Sequence, residues 1–237
     1  MPQYLIILVI VAVLVSTVFT VLSFKKTLLN LYLKTLASTL FTAIGVFSLF
    51  ALIKKNGVEM PDNALIGGFL IIFALVLCLV GDIILGMPRL TELKRDTLPV
   101  IFGGASWFFM GHVMYCIALI LLLGINLYSL CFIVPMSLFF TFTNRKIGKL
   151  NYHGLTFGVY FYSIMESLAF AVCACALIAK FSIFSLILTV AFFLFFFSDT
   201  VLMHNYFGEK KRLISILCHA TYYPAQILIA LSIMFIV

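Results

Sequence analysis

The feature that most constrains the fold is a series of long apolar runs, separated by short polar segments, that extends along the whole chain. A helix needs about 20 apolar residues to cross the hydrocarbon core of a bilayer, where the backbone must satisfy its own hydrogen bonds. We therefore expect an all-α, polytopic bundle of transmembrane helices that forms a single integral membrane domain over residues 1–237. The eight expected spans are 4–23, 31–53, 64–87, 98–122, 125–142, 154–179, 182–204 and 213–236.

The composition excludes a soluble protein. Apolar residues make up 65% of the chain and charged residues 10%, whereas soluble domains are about 45–50% apolar and about 25% charged. The six cysteines all lie in apolar segments, and we expect them to be small buried residues rather than disulfides or metal ligands. The net charge of +7 lies in short loops between spans, so we expect a lipid bilayer as partner and no nucleic acid.

The distribution of Lys and Arg predicts the orientation in the membrane. Three of these cations (Lys54, Lys55 and Lys180) lie on one side. Eleven lie on the other: Lys25, Lys26, Arg89, Lys94, Arg95, Arg145, Lys146, Lys149, Lys210, Lys211 and Arg212. Because positive loops stay cytoplasmic, we expect both termini on the non-cytoplasmic side. The small size and short loops favour a bacterial cytoplasmic (inner) membrane, or the endoplasmic reticulum membrane in a eukaryote.

Three acidic residues, Asp82, Glu166 and Asp199, interrupt the apolar runs. A carboxylate at bilayer depth costs about 2.5–3.5 kcal/mol on insertion scales and usually faces a protein interior or a wet cavity. The third and seventh spans run inward in the expected orientation, so Asp82 and Asp199 both lie toward their cytoplasmic ends. The alternative for each aspartate is a position at the membrane interface, solvated by the adjacent loop.

Polar side chains on other spans fall in the same half of the bundle. They are Lys34, His112, Tyr115, Tyr222 and Gln226, together with Ser198 beside Asp199. His112 and Tyr115 are three residues apart and share a helical face. Structural alternatives exist, since a buried histidine can be held by its neighbours and a lysine can snorkel to the surface. No ligand spacing supports a metal site built from His112, His219 and the aspartates, so we expect no metal or cofactor.

Five segments occur in a distinctive order: Lys34, GDIIL (81–85), GHVMY (111–115), SDTVL (198–202) and TYYPAQILIA (221–230). With them the chain resembles the YhhN-type family of eight-span membrane proteins, which includes the lysoplasmalogenases. The chain departs from the family pattern at Thr35, where Pro is common, and matches it only in part around Tyr160, Tyr162 and Met165 in the sixth span.

The resemblance implies hydrolysis of the vinyl ether bond of a lysoplasmalogen, without an obligate protein partner. Asp82 and Asp199 would be the catalytic pair, because two carboxyls in unequal environments can divide the acid and base roles. His112, Tyr115, Ser198, Tyr222 and Gln226 would orient them, and Lys34 and Arg89 would hold the lipid phosphate. The alternatives are a proton-coupled transporter that uses the same carboxylates, and a non-catalytic lipid-binding scaffold.

Overall fold

The computed structural model describes residues 1–24, 27–87, 98–152, 154–208 and 211–236. These residues form helices and turns, with no strand among them. The long helices are α1 (Gln3–Leu22), α2 (Leu28–Asn56), α3 (Asp62–Gly86), α4 (Leu98–Leu123), α5 (Leu127–Phe142), α6 (Thr156–Ala179), α7 (Ile183–Phe207) and α8 (Arg212–Ser232). Short helical turns at Gly57–Glu59, Thr143–Ile147 and Ile233–Phe235 extend three of them.

Within the described residues, these eight helices are long and apolar enough to cross a membrane. This confirms the all-α class and the number of candidate membrane helices. The ends of the predicted spans differ from the ends of these helices by about one helical turn or less. The side on which the termini lie stays a prediction, since it depends on the charge count alone.

Two connections between consecutive helices are very short. They can be short because polar side chains cap the ends of the helices that they join. Between α4 and α5, Gly124 takes a positive φ of 74° and the Asn126 side chain accepts a hydrogen bond from the backbone N–H of Tyr128 at 3.1 Å. Between α6 and α7, Ser182 and Ser185 form a reciprocal capping box. Such caps satisfy backbone groups that a helix end leaves without partners, so the chain can reverse within a few residues.

Glycines bring α3 and α4 together along one face. A Cβ built on Gly104 would lie 2.4 Å from the Leu85 side chain, and one on Gly81 would lie 3.2 Å from the Gly104 carbonyl oxygen. Small residues allow this close approach of membrane helices. Gly81 directly precedes Asp82, so the same contact sets the position of Asp82 relative to α4.

The cysteines follow the expectation with one exception. Five are buried, but Cys131 on α5 is exposed. Its helix also exposes large apolar residues such as Val134 and Phe139. The prediction of burial was wrong for Cys131, because a small apolar side chain is equally compatible with contact to lipid.

Candidate active site

Asp82 lies near the end of α3, four residues before Gly86, and receives three polar contacts. The Lys34 amine is 2.9 Å from Oδ1. The hydroxyls of Ser38 and Tyr222 donate to Oδ2 at 2.6 Å and 2.8 Å. Asp82 and Lys34 are only 3% and 4% exposed. A buried carboxylate with a cation and two hydroxyl donors has the partners that a charged form needs.

A chain of hydrogen bonds extends from this carboxylate across the bundle. Gln226 donates from Nε2 to the Tyr222 hydroxyl at 3.2 Å. Tyr115 in turn donates to Gln226 Oε1 at 2.8 Å. Asp82, Tyr222, Gln226 and Tyr115 therefore connect α3, α8 and α4, and each amide or hydroxyl fixes the orientation of the next.

Asp199 occupies a different polar cluster, formed by α4, α6 and α7. Tyr162 donates its hydroxyl to Asp199 Oδ2. One ligand atom each from His112, Glu166 and Asp199 lies within 4.8 Å of the others. All three side chains are buried, with exposures of 0%, 0% and 2%. We call these three residues the acidic cluster.

The ring of Phe195 contacts both polar clusters. The Phe195 ring is 4.6 Å from the His112 ring and 5.5 Å from the Tyr222 ring, measured between centroids and with edge contacts in both cases. Asp82 and Asp199 thus lie in adjoining parts of one interior, because His112 of one cluster and Tyr222 of the other both contact Phe195. Because the polar residues fall in the cytoplasmic half of the bundle, the sequence predicts that both aspartates face one cavity open to the cytoplasmic leaflet, and this stays a prediction.

Comparison with known proteins identifies the group to which this arrangement belongs. The model of the YhhN family matches residues 30–233, which include both polar clusters. The chain belongs to the YhhN family. The resemblance seen in the sequence is thereby confirmed. No curated protein and no solved structure matches the chain significantly.

The structure of this YhhN protein settles several alternatives. Asp82 and Asp199 are buried, so neither is solvated at the membrane interface. Lys34 does not snorkel, because its amine pairs with Asp82. Ser198 donates to the Cys218 carbonyl oxygen at 3.1 Å, which joins α7 to α8 beside Asp199. Arg89 lies outside the described residues, so its role as a phosphate contact stays a prediction.

Two residues that bond the aspartates were not identified as site residues from the sequence. Ser38 and Tyr162 each bond an aspartate directly, and each lies one turn from a charged residue, Lys34 or Glu166. This i, i+4 spacing was the signal that would have found them. From the sequence, Glu166 could also accept a hydrogen bond from Ser163, which lies one turn back on α6, but this prediction is wrong because neither Glu166 oxygen has a hydrogen-bond partner among the described residues. Ser163 instead bonds Ser137 and the Tyr160 carbonyl.

The potential metal ligands that lie together in the structure are those of the acidic cluster. They differ from the set of His112, His219 and the aspartates that was considered from the sequence. His219 packs its ring against Phe19 and Tyr223, with centroid distances of 4.9 Å and 6.2 Å. Glu166 takes its place beside His112 and Asp199. An imidazole and two carboxylates form a donor set that suits a divalent cation.

Proposed function

We propose that the chain is a membrane-embedded hydrolase that cleaves the vinyl ether bond of lysoplasmalogens. The products would be a fatty aldehyde and glycerophosphoethanolamine or glycerophosphocholine. Membership of the YhhN family supports this class of reaction. The observation that carries the mechanism is the contrast between two buried carboxyls: Asp82 pairs with Lys34, whereas Asp199 lies beside the carboxyl of Glu166.

Vinyl ether hydrolysis needs an acid first and a base second. A proton adds to the carbon β to the ether oxygen, and the electron pair of the double bond forms the new C–H bond. The resulting oxocarbenium ion takes up water, which loses a proton and leaves a hemiacetal. The hemiacetal then collapses to the aldehyde, and the glycerol oxygen leaves with a proton. Two carboxyls, one protonated and one ionised, suit this sequence.

The contacts support one proposed division of the two roles that the sequence left open. Protonation of Asp82 would sacrifice its ion pair with Lys34, so Asp82 is the ionised partner that accepts a proton from water. Asp199 lies close to Glu166, and two neighbouring carboxylates repel unless one of them carries a proton. We assign this proton to Asp199 rather than to Glu166, and because Tyr162 donates to Oδ2, Oδ1 is the oxygen that holds the proton for carbon.

The remaining polar residues position these groups. Tyr222 and Gln226, held by Tyr115, orient the Asp82 carboxylate and the attacking water, while His112 packs beside Asp199. Lys34 keeps Asp82 ionised. The Lys34 ammonium has three N–H donors, so it can contact the lipid phosphate while it pairs with Asp82, and Arg89 is the second proposed phosphate contact.

The decisive experiment measures turnover by the purified chain in lipid nanodiscs. A vinyl ether lysolipid should release an aldehyde, and the matched lysolipid with a saturated ether should not. In D₂O the aldehyde should carry one deuterium at its α-carbon, because the proton is delivered to that carbon. Absence of aldehyde would contradict the proposal. Proton-coupled solute uptake into vesicles in that case would support the transporter alternative, in which buried carboxyls relay protons.

A further inference from the structure

The acidic cluster brings three potential metal ligands together from three helices. His112 on α4, Glu166 on α6 and Asp199 on α7 each offer an atom within 4.8 Å of the other two. Ligand atoms around a tetrahedral Zn²⁺ at about 2.0–2.2 Å lie about 3.3–3.6 Å apart. Side-chain rotations that shorten the separations by at most about 1.5 Å therefore bring all three ligands onto one ion.

His112 is oriented as a metal-binding histidine. Its Nδ1 is 3.0 Å from the Phe108 carbonyl oxygen. A carbonyl only accepts hydrogen bonds, so Nδ1 carries the hydrogen and the neutral ring presents a lone pair at Nε2. Nε2 is buried and has no hydrogen-bond partner. In metal sites, a backbone carbonyl commonly holds the second ring nitrogen in this way.

Glu166 supplies the second, independent indication. Its side chain is 0% exposed, and neither Oε1 nor Oε2 has a hydrogen-bond partner. A buried carboxyl without partners is costly. A divalent cation would satisfy the Glu166 oxygens and His112 Nε2 together, and the charges of Glu166 and Asp199 would balance the ion.

The donor set selects the kind of ion. Ca²⁺ takes six to eight oxygen ligands and Mg²⁺ demands octahedral oxygen geometry, which this small cluster does not supply. One imidazole and two carboxylates with a fourth position left for water match tetrahedral Zn²⁺. Tyr162, which donates to Asp199, would hold that ligand from outside the coordination shell.

We propose that His112, Glu166 and Asp199 bind a divalent transition-metal ion, with Zn²⁺ as the best fit, and that the bound ion inhibits the hydrolase. The inhibition by the bound ion rests on the proposed function, whereas the binding of the ion does not. A carboxylate oxygen that ligates the ion has no proton to deliver to the vinyl ether carbon, so occupancy removes Asp199 from the reaction.

The test uses the full chain in nanodiscs, equilibrated with ZnCl₂ by dialysis, with bound zinc measured by mass spectrometry. Wild type should bind about one Zn²⁺ per chain. Glu166→Gln should bind at least about 10-fold more weakly, since even indirect partners of metal ligands are worth about 10–100-fold in affinity. Glu59→Gln, which removes a carboxylate at an exposed position, should bind like wild type. His112→Gln is the second ligand variant, and melting curves verify that each variant is folded.

Turnover is then compared with and without ZnCl₂, each variant relative to its own metal-free rate. Zinc should inhibit wild type and Glu59→Gln, and Glu166→Gln should require at least about 10-fold more zinc for the same inhibition. The proposed site is overturned if the wild type does not bind zinc stoichiometrically. It is also overturned if Glu166→Gln and His112→Gln both bind zinc with the affinity of the wild type. Zinc that binds but stimulates turnover, or leaves it unchanged, would overturn the inhibitory role. If no vinyl ether is cleaved at all, the proposed function fails while the binding result still decides the site.

Discussion

At the scale of single residues, Asp82 and Asp199 differ in the charge around them. Asp82 has the Lys34 amine at 2.9 Å, and Asp199 has the Glu166 carboxyl within 4.8 Å. If they act as base and acid, Asp82→Asn and Asp199→Asn should each lower turnover by at least about 100-fold. The assay is aldehyde release in nanodiscs. Near-normal turnover by both variants, in protein with a normal melting curve, would make these aspartates structural.

The ion pair of Lys34 and Asp82 leads to a prediction about stability. Lys34→Met would leave a buried carboxylate without its cation, which typically costs about 3–5 kcal/mol. The melting temperature of Lys34→Met should fall clearly. The double variant Lys34→Met with Asp82→Asn should recover most of this loss, because neither charge of the ion pair then remains. Lys54→Met, at an exposed position, is the matched control. Equal melting temperatures of the single and double variants would contradict this account.

At the scale of helices, the contact between α3 and α4 depends on individual glycines. A Cβ at Gly104 meets Leu85 at 2.4 Å, whereas one at neighbouring Gly103 meets only Ile84, at 3.8 Å. Gly104→Ala should therefore lower stability by about 1–3 kcal/mol, as overpacking does. It should also reduce turnover, since Asp82 is positioned by this contact. Gly103→Ala should leave turnover unchanged and should keep or slightly raise stability, because alanine favours a helix over glycine by up to about 1 kcal/mol.

The measurement for this pair is a thermal melt in detergent together with the turnover assay. An equal response of the two glycine variants would show that helix propensity, rather than the contact with Leu85, determines the effect. Helix positions themselves could be predicted well, because apolar length is a strong local signal. Which helix faces touch could not, because Gly104 and Leu85 meet only after α3 and α4 have packed.

At the scale of the whole molecule, the charge count predicts the orientation. In a cysteine-free background, a cysteine at Lys180 should react with a membrane-impermeant reagent added outside intact cells. A cysteine at Lys149 should react only after the membrane is opened. Both positions are exposed in the structure, so access from either side tests topology rather than burial. Labelling of position 149 from outside would reverse the assignment.

The sequence alone determined the class of the fold, the eight helices and the family. It also singled out Asp82 and Asp199, because a charge in an apolar run is costly wherever the chain folds. These properties follow from local composition, spacing and order along the chain.

Tertiary structure decided which charges meet. Lys34 and Asp82 pair across α2 and α3, and Glu166 joins His112 and Asp199 across three helices. Nothing in the local pattern of Glu166 distinguishes a contact with Ser163 from one with Asp199. The difference arises from how α6 is rotated against α4 and α7, and that rotation depends on packing between residues far apart in the chain.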